Sequence, residues 1–206
     1  MIRRLALLAL VGASLALPLA ARADTTEVGG IKFENSVSLG NAHLQLNGAG
    51  VRYKAVFKVY AAGLYLNAKA ATPEAVLGAS GARRLHIVML REIDANELGK
   101  LFTRGMEQNA SREEFSKVIP GVIKMGEIFS QRKKLASGDY FSIDYVPGIG
   151  SIIVVNGKPA SEPIKEPEFF NALMKIWLGK SPADAQLKEA LLGRSVTPSG
   201  NRDSYN

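Results

Sequence analysis

Asn47-Gly48-Ala49-Gly50-Val51-Arg52, followed by Phe57-Lys58-Val59-Tyr60-Ala61-Ala62-Gly63-Leu64-Tyr65-Leu66, is the stretch on which the reading of the fold turns. Residues 47–50 carry two glycines and read as a tight turn. The Val, Phe and Tyr content beyond them predicts strands over 51–60 and 63–66. A phosphate-binding loop is excluded at Gly48-Ala49-Gly50, because no Lys-Ser/Thr follows and the next element is a strand, not a helix. Arg52 is the polar residue that stands out, at the start of an otherwise apolar strand. Arginine is rarely buried without a partner, so the plain expectation is an exposed strand end.

Upstream, Val28-Gly29-Gly30-Ile31-Lys32-Phe33 predicts a turn and strand, and Val37-Ser38-Leu39 leads into His43-Leu44-Gln45-Leu46, which alternates as on a half-buried sheet. Downstream, Thr72-Pro73 opens a short helix with a threonine cap and proline in its first turn. Residues 84–90 form a strong strand. Asp94 caps a helix carrying Leu98, Leu101, Phe102 and Met106 and ending near Asn109. Ser111-Arg112-Glu113-Glu114 has the form of a capping box, opening a second helix that Pro120 should bend or break. Residues 140–145 and 151–155 are strands, and Asn156-Gly157 turns the second back toward Ala160. Helices over 168–178 and 182–192 complete an α+β layout, an antiparallel sheet covered on one face by a layer of helices.

The N-terminus carries a different signal. Arg3 and Arg4 precede an apolar run from Leu5 to Leu19 that closes on Ala21-Arg22-Ala23. The run falls short of the ~20 apolar residues a spanning helix needs, so residues 1–23 read as a secretory signal peptide cleaved after Ala23, not a retained anchor. The globular domain then spans 24–193, and the polar 194–206 reads as a disordered tail. Loss of Arg3, Arg4 and Arg22 leaves 23 basic against 19 acidic side chains, a net charge of +4. That mild, dispersed charge argues against nucleic acid as a partner. Arg132-Lys133-Lys134 is read as a helix C-terminal dipole complement.

The chain has no cysteine, which excludes disulfides, thiolate nucleophiles and cysteine metal sites. His43 and His86 are the only histidines, each in a predicted strand without a carboxylate at ligand spacing, so no metal site and no Ser-His-Asp hydrolase is expected. The full chain is 47% hydrophobic, and the 183 residues that remain after residue 23 suffice for one substantial core.

The stretch from Gly48 to Arg52 with Phe57 to Leu66 resembles the chalcone isomerase superfamily, in particular its bacterial chalcone isomerase-like branch. The stretch FNALMKIWLG over 170–179, then Pro182 and residues 187–193, is similar to that family's C-terminal helices, and the resemblance covers about residues 28–193. It implies an open-faced β-sandwich with a ligand cleft between sheet and helices. The family's enzymes cyclise chalcones without a cofactor, and other members bind fatty acids in the same cleft.

Carried onto this chain, the family's anion-holding strand arginine falls on Arg52 and its strand threonine on Tyr60. Its helix tyrosine falls near Phe115, its asparagine has no counterpart around Gly121-Val122, and its C-terminal threonine or serine falls on Ile176. Most of the polar set is therefore replaced, and each lost oxyanion donor would lower a rate by ~10²–10³. The leading expectation is a periplasmic, non-catalytic binder of a small hydrophobic carboxylate such as a fatty acid. Arg52 would be its anchor, Tyr60 a second donor, and Phe115, Met125, Ile176 and Trp177 candidate cleft residues. The alternatives are a cofactor-independent isomerase using Arg52 and Tyr60, which needs a further polar group in the same pocket, and an envelope protein-interaction module whose cleft is self-filled.

Overall fold

A computed structural model describes residues 24–195. In chain order the elements are β1 (Thr25–Val28), β2 (Ile31–Glu34), β3 (Ser36–Leu39), β4 (Ala42–Lys54), β5 (Phe57–Leu66), α1 (Pro73–Leu77), β6 (Arg83–Met89), β7 (Ile93–Asp94) and α2 (Ala95–Asn109). They continue as α3 (Arg112–Ser130), β8 (Lys134–Leu135), β9 (Tyr140–Val146), β10 (Gly150–Val155), β11 (Lys158–Pro159), α4 (Phe169–Leu178) and α5 (Ala185–Leu191). The signal-peptide reading of residues 1–23 lies outside the described residues, as does the tail beyond residue 195. Arg194 itself is held, through Glu189 and the Ala71 carbonyl.

One seven-stranded antiparallel sheet runs in the order β11-β10-β9-β6-β5-β4-β3. The side-chain period of two sorts its strands between two cores. Tyr60, Ala62, Leu64 and Leu66 of β5, with Leu85, Ile87 and Met89 of β6, face α2, α3 and α4 in the larger core. Ala61 and Tyr65 face the other way, where Phe33 of the β1–β2 hairpin covers part of the sheet with Leu44 and Leu46. The helices thus share one face, as expected, and a small hairpin shields part of the other.

The caps follow the sequence. Thr72, Asp94 and Asp184 accept from backbone N–H groups at the starts of α1, α2 and α5, and Ser111 with Glu114 closes the reciprocal box on α3. At the β10–β11 hairpin, Asn156 (φ 48°) and Gly157 (φ 79°) adopt the left-handed conformation that a two-residue turn requires.

Two expectations are corrected. Gly48-Ala49-Gly50 is no turn. β4 runs through it for 13 residues, with a register shift between Leu46 and Gly48, and the chain reverses instead at Ala55-Val56. The glycines serve packing. A Cβ on Gly48 would overlap the Ala190 carbonyl oxygen, and one on Gly50 would lie 2.6 Å from the Ala190 Cβ, so α5 rests on bare strand backbone. Pro120 does not break α3, which is continuous from Arg112 to Ser130. Its position is exposed, where water can satisfy the Ser116 carbonyl that lacks an N–H partner.

Candidate ligand-binding site

Arg52 and Tyr60 are directly paired across β4 and β5, so both project toward the helices. The Arg52 guanidinium lies 5.6 Å from the Tyr60 ring centroid. Its Nε is buried without a hydrogen-bond partner, and the residue forms no ion pair among the described residues. The nearby carboxylate of Asp184 is engaged elsewhere, one oxygen accepting from the Leu187 N–H and the other from the Tyr53 N–H. A half-buried cation is thus left with unused donors, against the plain expectation of an exposed strand end.

Beneath it, Tyr60 is 1% exposed. Its hydroxyl oxygen accepts the Trp177 indole N–H at 2.7 Å, which leaves its own O–H proton available for donation. Burial pushes the phenol up to about 12, against the opposing influences of Arg52 and Trp177, so it stays protonated at neutral pH.

A cavity of about 240 Å³ opens beside this pair, between the sheet, α2 and the α4–α5 connection. Arg52 and Tyr60 form its sheet wall. Leu98, Leu101, Gly105 and Gln108 line it from α2 at spacings of three and four, which puts them on one helix face. Gly105 lets α2 approach α4, since a Cβ there would sit 3.1 Å from Ile176. Ile176, Phe102 and Ala183 supply apolar surface, and the exposed Arg104 and the backbone around Ser181 lie at the rim.

The rim is fixed by Asn109, whose amide donates to the Ser181 and Gly105 carbonyls while its oxygen accepts the Ser181 N–H. Lys188 adds a bond to the Gly179 carbonyl. Asn109 marks only a helix end in the sequence, yet it holds one wall of the cavity.

Of the residues anticipated for the cleft, Arg52, Tyr60 and Ile176 come together. Phe115 does not line the cavity: it is half-buried in the first turn of α3 and packs on the main core. Met125 is core on α3, and Trp177 lies under Tyr60 as its hydrogen-bond donor. The sequence reading gave no cleft role to Leu101, Arg104, Gln108 or the 181–183 segment. For the first three, their three-to-four spacing on α2 was the available signal.

His43 is exposed on β4, whereas His86 lies between Phe33 and Tyr140 on the face opposite the helices. Among the described residues no cluster of His, Asp and Glu is arranged to hold a metal.

Residues 25–193 match the family described as chalcone isomerase-like, and the chain belongs to that family. Its fold is similar to that of a fatty-acid binding protein of Arabidopsis thaliana, with a TM-score of 0.65 at 14% identity, covering 82% of this chain and 96% of that one. No curated protein sequence matches the chain.

Proposed function

We propose that this chain is a non-catalytic binder of a small amphipathic carboxylate, of the fatty-acid type, acting after export to the periplasm as a member of the bacterial branch of its family. The observation that carries the reading is Arg52: a guanidinium with a buried, unpartnered Nε beside an apolar cavity and above a hydroxyl that can still donate. A carboxylate placed there would take a charge-assisted pair from Arg52 and a hydrogen bond from Tyr60. The fatty-acid binding described for the plant protein of the same fold supports this class of ligand. At about 240 Å³ the cavity is below the ~300–1,000 Å³ of ordinary ligand sites. A short acyl chain fits this volume, or a longer one whose tail leaves past Arg104.

The isomerase reading asks for a third polar group near Arg52 and Tyr60, and Gln108 meets that condition. Binding remains the better reading because the Tyr60 phenol, pushed up to about 12, is a poor proton donor in catalysis, and among the described residues no Asp, Glu or His lines the cavity to act as a base. The self-filled cleft of an interaction module disagrees with the open space beside Arg52.

Native mass spectrometry of the chain beginning at Asp24, purified without detergent, tests the proposal. The expected result is a co-purifying carboxylic acid that is absent from Arg52→Ala. No ligand in either protein, and no uptake of added fatty acids, would overturn it. Fractionation of expressing cells with N-terminal sequencing tests export, the expected new terminus being Asp24.

A further inference from the structure

The ribbon made by β4 and β5 extends beyond its neighbours. β3 pairs with Ala42–Gln45 and β6 ends with Met89 opposite Tyr60, so residues 53–58 have strand partners only in each other among the described residues. Their apex is apolar and open to solvent: Val56 is 83% and Phe57 59% exposed, with Tyr53 at 40%. No core demands these side chains there.

Cations surround the apex. Lys54 and Lys58 flank it on the two strands, and the Arg91 guanidinium lies 5.2 Å from the Phe57 ring centroid. All three are exposed, and none forms an ion pair among the described residues. Residues 53–58 include no acid. Glu92, next to Arg91, is paired with Lys134, while Glu27 and Asp184 line a groove on one flank of the ribbon together with Tyr53, Ala55 and Lys58, the Asp184 carboxylate being taken up by the Tyr53 and Leu187 N–H groups.

We infer that this tip docks on an anionic phospholipid surface. Val56 and Phe57 would enter the headgroup region, and Lys54, Lys58 and Arg91 would lie at the level of the phosphates. Apolar side chains with a basic collar fit an interface that is itself apolar beneath and negative above. No helix among the described residues is long and apolar enough to cross a membrane, so this contact would be peripheral and reversible. Arg52 lies one residue from the ribbon's exposed part, which brings the cavity close to the docked surface. The docking does not require the cavity to hold a ligand.

Vesicle co-sedimentation of the chain beginning at Asp24, which contains every described element, tests this. Phosphatidylcholine vesicles containing phosphatidylglycerol are compared with pure phosphatidylcholine. Binding to the anionic vesicles alone, weakened by salt, is expected. Because each basic residue near an anionic surface contributes about fivefold, Lys54→Glu with Lys58→Glu should lower the partition at least about 25-fold. Val56→Ser with Phe57→Ser should reduce it at least about tenfold. Both double variants change exposed positions and should keep the wild-type melting temperature and fatty-acid uptake, whereas Arg52→Ala should keep vesicle binding and lose uptake. Equal partition of wild type and both variants, or none to anionic vesicles, would overturn the inference. So would a dimer in sedimentation velocity that Val56→Ser with Phe57→Ser dissolves while vesicle binding is absent, which would assign the tip to a second copy of the chain.

Discussion

The indole N–H of Trp177 donates to the phenolic oxygen of Tyr60 across 2.7 Å, with both side chains fully buried. This bond joins α4 to the centre of the sheet and orients the hydroxyl that completes the candidate site. Through it, the helical layer sets the direction in which Tyr60 can donate.

Removal of either partner leaves the other's buried polar group unmatched. Tyr60→Phe and Trp177→Phe are each expected to lower unfolding stability by about 1–3 kcal/mol, with the double variant less destabilised than the sum of the two. Urea denaturation of the four proteins measures the coupling. Strict additivity would mean that the bond contributes nothing.

Asn109 fixes the cavity rim through three hydrogen bonds to the backbone at Gly105 and Ser181. Asn109→Ala should weaken carboxylate binding at least about tenfold while destabilising the fold by no more than about 1–3 kcal/mol. Titration with a short-chain fatty acid, alongside thermal melting, separates the two effects. Unchanged affinity would show that the rim holds its shape without Asn109.

The α5 docking surface should tolerate no side chain at Gly48, because the obstacle there is the backbone of Ala190 and Gly193. At Gly50 the obstacles are the Ala190 Cβ and the Leu187 side chain, which have more room to shift. Gly48→Ala is therefore expected to cost more than Gly50→Ala, with the milder change near the usual ~1–3 kcal/mol of overpacking. Denaturation midpoints of the two variants give the order, and the reverse order would contradict the packing described.

His86 supplies an acid-sensitive element. Burial and the nearby Arg84 cation hold its imidazole down to about 4, from an ordinary value of 6.5, while Asp144 acts in the opposite sense. Below pH 6.5 the unfolded chain takes up a proton that the folded chain refuses until about pH 4. The stability this group contributes is thus complete above 6.5 and is lost as pH falls through that window, with a slope approaching ~1.4 kcal/mol per unit. His86→Phe should flatten the curve of stability against pH between those values. An unchanged slope would mean that other groups set it.

Most of the architecture was legible in the sequence. Asp94, Ser111 with Glu114, Thr72 and Asn156-Gly157 are local signals, and each forms the cap or turn its chemistry specifies. Gly48 and Gly50 misled because a glycine pair signals either a turn or a close approach. Only the position of α5, far along the chain, decides between them. Arg52 stood out in the sequence by itself, its role and Tyr60 came through the family resemblance, and the strand register makes the two direct neighbours. Asn109, Gln108 and the 181–183 segment were not found, because their roles arise from the packing of α2 against the α4–α5 connection. Phe115 was misplaced: its turn of α3 faces the core and not the cavity.

The seat of α5 on β4 also sets an order of events. The Asn47 amide reaches the Leu191 carbonyl across 144 positions of sequence, and residues 181–183, which close the cavity, come almost as late. A ribosome therefore completes the sheet and α2 well before it supplies the last wall of the site. Contacts so distant in sequence form slowly. Until they do, Arg52 faces water, and a nascent chain halted before Pro182 would have the greater part of its fold and no enclosed place for a ligand.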